Sequence, residues 1–207
     1  MTNRPRVFLS AVQGARKLVL AIALLIGLAA FALTEASRFG AGVHEIIEGI
    51  GLVLIWVCIL GRVWCSLYIS GRKVRELVEK GPYSVVRNPL YLFSLVGAAG
   101  VGAQSGSVLI SIALLTVSLV VFAFVVVREE SALSKVHSED YVGYQRRVPR
   151  FIPNLKMWSD DAFLTINPRL VARTFMDGLV FLLAVPIAEG IEFLQGTGVL
   201  PTIANLP

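Results

Sequence analysis

The chain has 207 residues, of which 56% are hydrophobic and only 16% are charged, whereas a soluble domain has roughly 25% charged residues. So few charges exclude a water-soluble enzyme, a disordered tail and a secreted disulfide scaffold. The formal net charge is +5, which fits either nucleic acid or a membrane surface, so the placement of the charges must decide between them.

Five apolar segments predict an all-α, polytopic transmembrane bundle of about five spans. In chain order they are 18–34, 49–69, 90–103, 107–127 and 178–200. The fourth segment has no charge and would be about 31 Å long as a helix, which matches the hydrocarbon core of a bilayer. Only residues 104–106 separate it from the third segment, so we expect a helical hairpin with a tight turn that contains glycine.

Two of these segments have alternative interpretations. The first follows a basic start and ends near Ala30-Phe31-Ala32, which is also compatible with a signal peptide, although a multispanning chain usually keeps its first span as an anchor. The last contains Pro186, Glu189 and Glu192, so it is either a span or an amphipathic helix on the membrane surface.

If the chain crosses the membrane five times, nearly all of the lysines and arginines fall on one side. Four precede the first segment, five lie between the second and third, and eight lie between the fourth and fifth, which is 17 of the 19. The opposite side receives Arg38. The positive-inside rule therefore predicts a cytoplasmic N-terminus and a C-terminus on the opposite side. The excess charge is thus a membrane rim, and we predict no nucleic-acid partner.

Neither the cysteines nor the histidines suggest a metal site. Cys58 and Cys65 would be separated by about 10 Å along one helix, too far for a disulfide, so we expect both to pack. No Cys/His spacing suits a metal, and we predict none. His44, near Glu45 and Glu48, has no assigned role. Arg62, near the end of the second segment, is expected to extend toward the cytoplasmic interface.

Two predicted cytoplasmic segments carry most of the polar residues. In the first, 72–89, the spacing of Val74, Leu77 and Val78 predicts a short amphipathic helix that ends at Gly81-Pro82. Pro89 then starts the third span. The second segment, 128–153, keeps a helical rhythm that prolongs the fourth span. Both segments leave the same hairpin, so we expect them to lie close together.

The strings LVEKGPYSVVRNPLY and EESALSKVHSEDYVGYQRRVPRFIP resemble motifs of the isoprenylcysteine carboxyl methyltransferase and phospholipid methyltransferase group of integral membrane enzymes. The resemblance covers roughly 70–153. The matching residues of the first motif are Gly81, Tyr83, Arg87, Pro89 and Tyr91. Those of the second are Glu129, Glu130, Leu133, Tyr141, Tyr144, Pro149, Arg150 and Pro153.

The chain departs from the family pattern at several positions. Asn88 replaces a histidine, Phe93 replaces a small residue, and His137-Ser138 replace Phe-Gly. An asparagine still donates and accepts hydrogen bonds, but it does not titrate near neutral pH. A bulky Phe93 would narrow the space beside the third span, so we expect an acceptor that differs from that of the best-known relatives.

The resemblance implies an S-adenosylmethionine-dependent methyltransferase that acts on a membrane-embedded or lipophilic acceptor. Arginines suit the carboxylate of this cofactor, glutamates its hydroxyls or ammonium, and aromatic faces its sulfonium. The candidate catalytic residues are Arg87, Glu130 and Arg150. The candidate cofactor-binding residues are Tyr83, Arg87, Asn88, Tyr91, Glu129, Glu130 and Tyr144.

Other interpretations of the same residues remain open. The arginines also suit lipid phosphates, the glutamates a solvated helix face, and the tyrosines an interfacial belt. The acceptor is a prenylated cysteine carboxylate, a phospholipid amine or a small lipophilic thiol. The alternative function is a non-catalytic membrane scaffold or lipid-binding protein. We divide the chain into a methyltransferase domain, 1–155, and a linker with a C-terminal helix, 156–207; the pattern does not determine the oligomeric state.

Overall fold

The computed structural model describes residues 19, 21–35, 41–71, 77–201 and 204–205. The basic residues at 4–17 and 72–75, Arg38, the first residue of the predicted first span and residue 74 of the predicted amphipathic helix lie outside this part of the chain. Seven helices are described: α1 Ala21–Leu33, α2 Ala41–Ile69, α3 Pro82–Val85, α4 Pro89–Ala103, α5 Val108–Arg147, α6 Pro168–Leu179 and α7 Ala184–Gly196. The all-α prediction is confirmed, apart from the two-residue strands β1 Thr34–Glu35 and β2 Ala204–Asn205, which pair in parallel.

Three helical stretches of the described chain are long and apolar enough to cross a membrane. They are Gly42–Ile69, Val108–Ser131 and Pro168–Gly196. The last contains α6, a 3-10 turn at Val180–Leu183 and α7, so it begins ten residues before the predicted fifth segment. Helices α1 and α4 are apolar but shorter. These helices indicate an integral membrane protein, and the count of five spans stays a prediction.

The helices alternate in direction between two ends of the bundle. At one end, called the turn end here, residues 104–106 join α4 to α5 and contact the start of α2, because a Cβ on Gly106 would overlap the His44 ring. At the other, called the motif end, α2 finishes at Tyr68, whose ring lies against Gly81. The predicted hairpin of α4 and α5 with a glycine-containing turn is confirmed.

Helices α2 and α4 approach closely because glycines line their interface. A Cβ on Gly51 would lie 2.9 Å from the Cβ of Ala103, and one on Gly100 would lie 2.7 Å from the carbonyl oxygen of Gly51. Small residues allow such backbone contact between helices that have no hydrophobic driving force in lipid. Cys58 and Cys65 are free thiols buried in this region, as predicted.

The predicted amphipathic helix before Gly81 is wrong for the described residues. Residues 77–79 have no regular secondary structure. Leu77 packs with Tyr144, whereas Val78 packs with a different cluster around Tyr83. These two side chains therefore pack against different parts of the bundle and do not form one apolar face of a helix. Gly81-Pro82 therefore starts the short helix α3.

Helix α5 continues far beyond its apolar part, as predicted, but it is not straight. The side chains of Glu130 and Gln145 approach to 3.4 Å. A straight helix would separate these residues by about 22 Å along its axis. The chain therefore bends back between them, and this bend returns the end of α5 to the motif end.

Candidate functional site at the motif end

The backbone of the first motif is held by a later segment, residues 149–159, called the strap here. The amide of Arg87 donates to the carbonyl of Pro149 at 2.9 Å, and the amide of Asn154 donates to the carbonyl of Val85 at 2.9 Å. These bonds position the loop between α3 and α4. Pro89 at the first position of α4 needs no amide partner, so the loop passes directly into the helix with Asn88 at its N-cap.

Three predicted site residues converge on the carboxylate of a fourth, Glu130. Arg87 Nη1 donates to Glu130 Oε2 at 3.1 Å, and Asn88 Nδ2 donates to Glu130 Oε1 at 3.1 Å. Arg150 donates to Oε2 through Nε at 3.1 Å and through Nη2 at 2.9 Å. Gln145 Nε2 adds a longer contact of 3.4 Å. The structure thus brings together all three candidate catalytic residues.

The side chains of Glu130, Arg87, Asn88 and Arg150, called the Glu130 cluster here, are desolvated on one side and carry a net positive charge. The Glu130 side chain is 4% exposed and that of Arg87 is 11% exposed, whereas that of Arg150 is 41% exposed. Two guanidinium groups face one carboxylate, which leaves a local excess of one positive charge. Such an arrangement favours a further anionic group at the exposed side of Arg150.

The hydroxyl groups of Tyr83 and Tyr144, two of the predicted cofactor-binding residues, differ in their hydrogen bonding. Tyr144 donates its hydroxyl to the carbonyl of Tyr83 at 2.8 Å, so this hydroxyl ties α5 to α3. The hydroxyl of Tyr83 is buried without a partner among the described residues. Burial is the main cause that raises the pKa of both tyrosines, and the charge of Glu129 adds to the shift at Tyr83.

Tyr91 and Glu129 lie beside the carboxylate cluster. Tyr91 packs on Phe122, with ring centroids 5.1 Å apart. Glu129 is half-buried, whereas its neighbour Glu130 is buried. Of the two consecutive carboxylates, Glu130 is therefore the one that organises the cluster.

Two cavities take lining residues from the loop before α4 and from the start of α4. The first, of about 630 Å³, lies among α1, α4, α5 and the α6–α7 stretch, and it is lined mainly by apolar side chains together with Tyr91, Ser94 and Arg62. The second, of about 690 Å³, is more open and is lined by Arg87, Gln145 and residues of the strap. Since Arg87 and Tyr91 are one helical turn apart in sequence, the short stretch between them separates an apolar cavity from a polar one.

The prediction for Arg62 is wrong, because its side chain turns into the bundle. Arg62 Nη1 donates to Ser94 Oγ at 2.5 Å, and its guanidinium lies 5.9 Å from the Phe181 ring centroid. Its Nε is buried without a partner among the described residues. A cation held in this way is costly unless it serves a ligand or a structural contact. The hydroxyl of Ser94 and the ring of Phe181 make such an inward position possible.

Sequence reasoning missed Gln145 and the residues of the strap beyond 153. Gln145 lies 15 residues after Glu130 on the same helix, so no helical periodicity would place them together. Ser159 accepts from the amide of Gly81 at 2.8 Å, and Trp158 stacks on Trp64 with centroids 5.7 Å apart. A tryptophan soon after the motif was the one available signal, since aromatic residues of this kind anchor connecting segments.

Comparisons with known proteins match the part of the chain that forms most of the motif end. A family model described as phospholipid methyltransferase matches residues 37–140. The chain is 33% identical over 158 residues to the nickel-cobalt-cadmium resistance protein NccN of Alcaligenes xylosoxydans xylosoxydans, covering 76% of this chain and 74% of the relative. It is 31% identical over 167 residues to the cobalt-zinc-cadmium resistance protein CzcN of Cupriavidus metallidurans, covering 81% and 77%. No solved structure matches the chain.

The family match starts before the predicted motif region and includes Arg87, Asn88 and Glu130, while Arg150 follows it. The match covers half of the chain, and both relatives exceed 30% identity over most of their lengths. The protein therefore belongs to the phospholipid methyltransferase family, a group of integral membrane methyltransferases.

Proposed function

We propose that this protein is an S-adenosylmethionine-dependent methyltransferase whose acceptor lies in the membrane. The observation that carries the proposal is that Arg87, which donates to Glu130, lines a polar cavity, whereas Tyr91, four residues later, lines an apolar one. A water-soluble donor and a lipid-like acceptor must meet at such a boundary. Methyl transfer needs alignment of the two and exclusion of water more than it needs acid–base groups.

The residues at the motif end fit this cofactor. Tyr83 Oη and Arg87 Nε are buried polar atoms without partners in the described chain, and such atoms normally have a hydrogen-bonding partner in a working protein. When bound, S-adenosylmethionine supplies an electrophilic methyl group. In this proposal Arg87 and Arg150 hold its carboxylate, Glu129 holds its ammonium or ribose hydroxyls, and Tyr91 presents an aromatic face to the sulfonium.

Glu130 acts in this proposal through electrostatics and positioning. Its oxygens already accept hydrogen bonds from Arg87, Asn88 and Arg150, so it is poorly suited to take a proton from an acceptor. An acceptor that is already nucleophilic avoids the need for a base. A carboxylate or a thiolate satisfies this condition, and a protonated amine does not.

The apolar cavity suggests the class of acceptor. Arg62 is the only cationic and Asp177 the only anionic side chain among its described lining residues. Asp177 is exposed, whereas Arg62 Nε is buried without a partner among the described residues. A buried guanidinium favours a ligand that is apolar over most of its length and anionic at one point. We therefore favour a lipophilic carboxylate of the isoprenylcysteine type over a phospholipid amine or a small thiol.

The proposed orientation places the motif end in the cytoplasm, where the cofactor is dissolved. The basic residues on either side of the α4–α5 hairpin support this orientation through the positive-inside rule. It follows that the C-terminus of α7 lies on the opposite side.

Cofactor binding gives the first test. We expect S-adenosylhomocysteine to bind the detergent-solubilised protein in isothermal titration, and Arg150→Gln to weaken this binding at least about tenfold, which is the loss of one charge-assisted hydrogen bond. Arg173→Gln is the matched control, because Arg173 is exposed on α6 and lines neither cavity. No binding at millimolar ligand, or equal weakening by both variants, would contradict the proposal.

The acceptor requires a second experiment. Membranes containing the protein are incubated with radiolabelled methyl donor, and the labelled extractable product is identified. We expect a base-labile methyl ester on a lipophilic molecule, with the label reduced at least about tenfold in Arg62→Met, which keeps the apolar volume but removes the charge. A labelled amine headgroup would refute the carboxylate assignment, even though the enzyme would still be a methyltransferase.

A further inference from the structure

We propose that His44, Glu48 and Glu192 form a binding site for a divalent transition-metal cation at the turn end of the bundle. His44 and Glu48 lie one helical turn apart on α2, and Glu192 lies on α7. One ligand atom from each residue lies within 4.8 Å of the others. The sequence predicted no metal site, because Glu192 is 148 residues from His44.

The three groups are arranged around one point. His44 Nε2 lies 2.9 Å from Glu192 Oε1 and 3.4 Å from Glu48 Oε1. Ligands in a tetrahedral site about 2.1 Å from zinc lie about 3.4 Å from each other. The separation of His44 from Glu48 equals this value, whereas that of His44 from Glu192 is a shorter hydrogen-bond distance, so these two side chains must move slightly apart to coordinate an ion.

The charges of Glu48 and Glu192 also favour a bound cation at this site. Two carboxylates face a single ring nitrogen, which carries at most one proton and cannot satisfy both. The described segments that meet here, 21–35, 41–60, 100–118 and 184–201, contain no lysine or arginine. The three side chains are only 22–34% exposed, so water screens their repulsion less than at an open surface. A divalent ion would neutralise both carboxylates.

The surrounding structure holds these groups in place. The His44 ring lies against Gly106, which has a φ of 64° and where a Cβ would overlap the ring. Gln104 Nε2 donates to the backbone carbonyl of Glu48 at 2.9 Å. One turn after Glu192, Gln195 Nε2 donates to the carbonyl of Phe31 at 3.0 Å. Four segments are thus tied together around the site, and such preorganisation favours a bound ion.

The ligand set selects the class of ion. Imidazole nitrogen favours zinc, nickel and related ions over magnesium or calcium, which prefer sites made of oxygen alone. Three protein ligands leave a coordination position for water or for a further ligand.

This site is separate from the proposed methyl-transfer site. His44 and Tyr68 are 24 residues apart on α2, a distance of about 36 Å along the helix axis. The metal site therefore does not rest on the proposed function, and an ion bound here would link α2 to α7 at the opposite end of the bundle.

Zinc binding by the full-length protein tests the proposal. Detergent-solubilised protein is stripped with a chelator, and Zn²⁺ is titrated by calorimetry, with Co²⁺ absorption as a spectroscopic probe of a nitrogen ligand. We expect one saturable site in the wild type. Glu192→Gln keeps the side-chain volume but removes one charge, and we expect it to weaken Zn²⁺ binding more than about tenfold.

The matched controls are Glu45→Gln on α2 and Glu189→Gln on α7, since both carboxylates are exposed and lie outside the cluster. We expect Zn²⁺ to raise the melting temperature of the wild type and of both controls, but not that of Glu192→Gln. The absence of saturable Zn²⁺ binding in the wild type would overturn the proposal. Equal weakening in all three variants would also overturn it, because the ion would then be responding to a diffuse acidic surface.

Discussion

The replacement Glu130→Gln tests how the motif end is held together. Glutamine has nearly the shape of glutamate but carries no charge, and its amide nitrogen donates where a carboxylate oxygen accepts. Arg87 and Arg150 both direct donors at Glu130 Oε2. In the variant, two guanidinium groups would therefore face each other without a compensating anion.

The expected loss of unfolding free energy follows from how deeply Arg87 and Arg150 are buried. Removal of one partner from a buried ion pair destabilises a protein by about 3–5 kcal/mol. Arg87 is 11% exposed and fits this range, but Arg150 is 41% exposed, so water solvates much of its charge and its share must be discounted. We expect a loss of about 3 kcal/mol of unfolding free energy.

Thermal unfolding in detergent gives the measurement. For a chain of 150–250 residues, 1 kcal/mol shifts the melting temperature by about 2–4 °C, so the variant should melt about 6–12 °C below the wild type. The control is Arg147→Gln, which removes an exposed pair whose side chains are 58% and 32% exposed. Exposed pairs contribute about 0–1 kcal/mol.

A melting temperature for Glu130→Gln that equals the value of this control would refute the reasoning. A double variant sharpens the test. If unpaired charge causes the loss, Arg87→Met combined with Glu130→Gln should be more stable than Glu130→Gln alone, since replacement of a whole buried pair is often neutral. Additive losses would show that the two side chains are not energetically coupled.

Three further predictions follow from particular contacts. Tyr144→Phe removes the donor to the carbonyl of Tyr83, and we expect a loss of about 1–3 kcal/mol in an unfolding assay because a buried acceptor is left unsatisfied; an unchanged melting temperature would contradict this. Gly81→Ala places a Cβ at a φ of 58° and against a tyrosine ring, so it should destabilise by more than about 1 kcal/mol, while Gly190→Ala, with open space around it, should not. Burial raises the pKa of Tyr141 to about 12, above its unfolded value of about 10. The unfolded chain therefore loses this proton first, and the free energy of unfolding should fall as the pH rises from 10 to 12. In melting curves recorded over this pH range, Tyr141→Phe should show a smaller fall. An unaltered pH dependence in the variant would refute the assignment.

Much of the candidate site could be predicted from local sequence. Pro89 predicted the start of α4, the residues 104–106 predicted its turn, and the motif residues Arg87, Asn88 and Glu130 converge as two segments leaving one hairpin should. These features depend on interactions between near neighbours in the chain, which propensity and spacing describe well. Family resemblance then added the expected chemistry.

Other features could not be predicted, because they depend on contacts between distant residues. Residues 77–79 have no regular secondary structure. Leu77 and Val78 pack into different clusters, and these tertiary contacts override a helical hydrophobic pattern. The hydrophobic periodicity of α5 before and after its bend does not predict the bend that brings Gln145 to Glu130. The inward position of Arg62 depends on Ser94 and Phe181, which belong to other helices.

The sequence by itself determined that this is a helical membrane protein, because hydrophobicity acts over the length of each segment. The basic rim on one side of the membrane stays a prediction. The sequence also determined which residues belong to the methyltransferase family motifs. Only the tertiary structure decided which carboxylate of the pair at 129–130 is enclosed by arginines, and that His44 meets Glu192. The physical reason is that burial and ligand geometry are properties of side chains brought together from different helices.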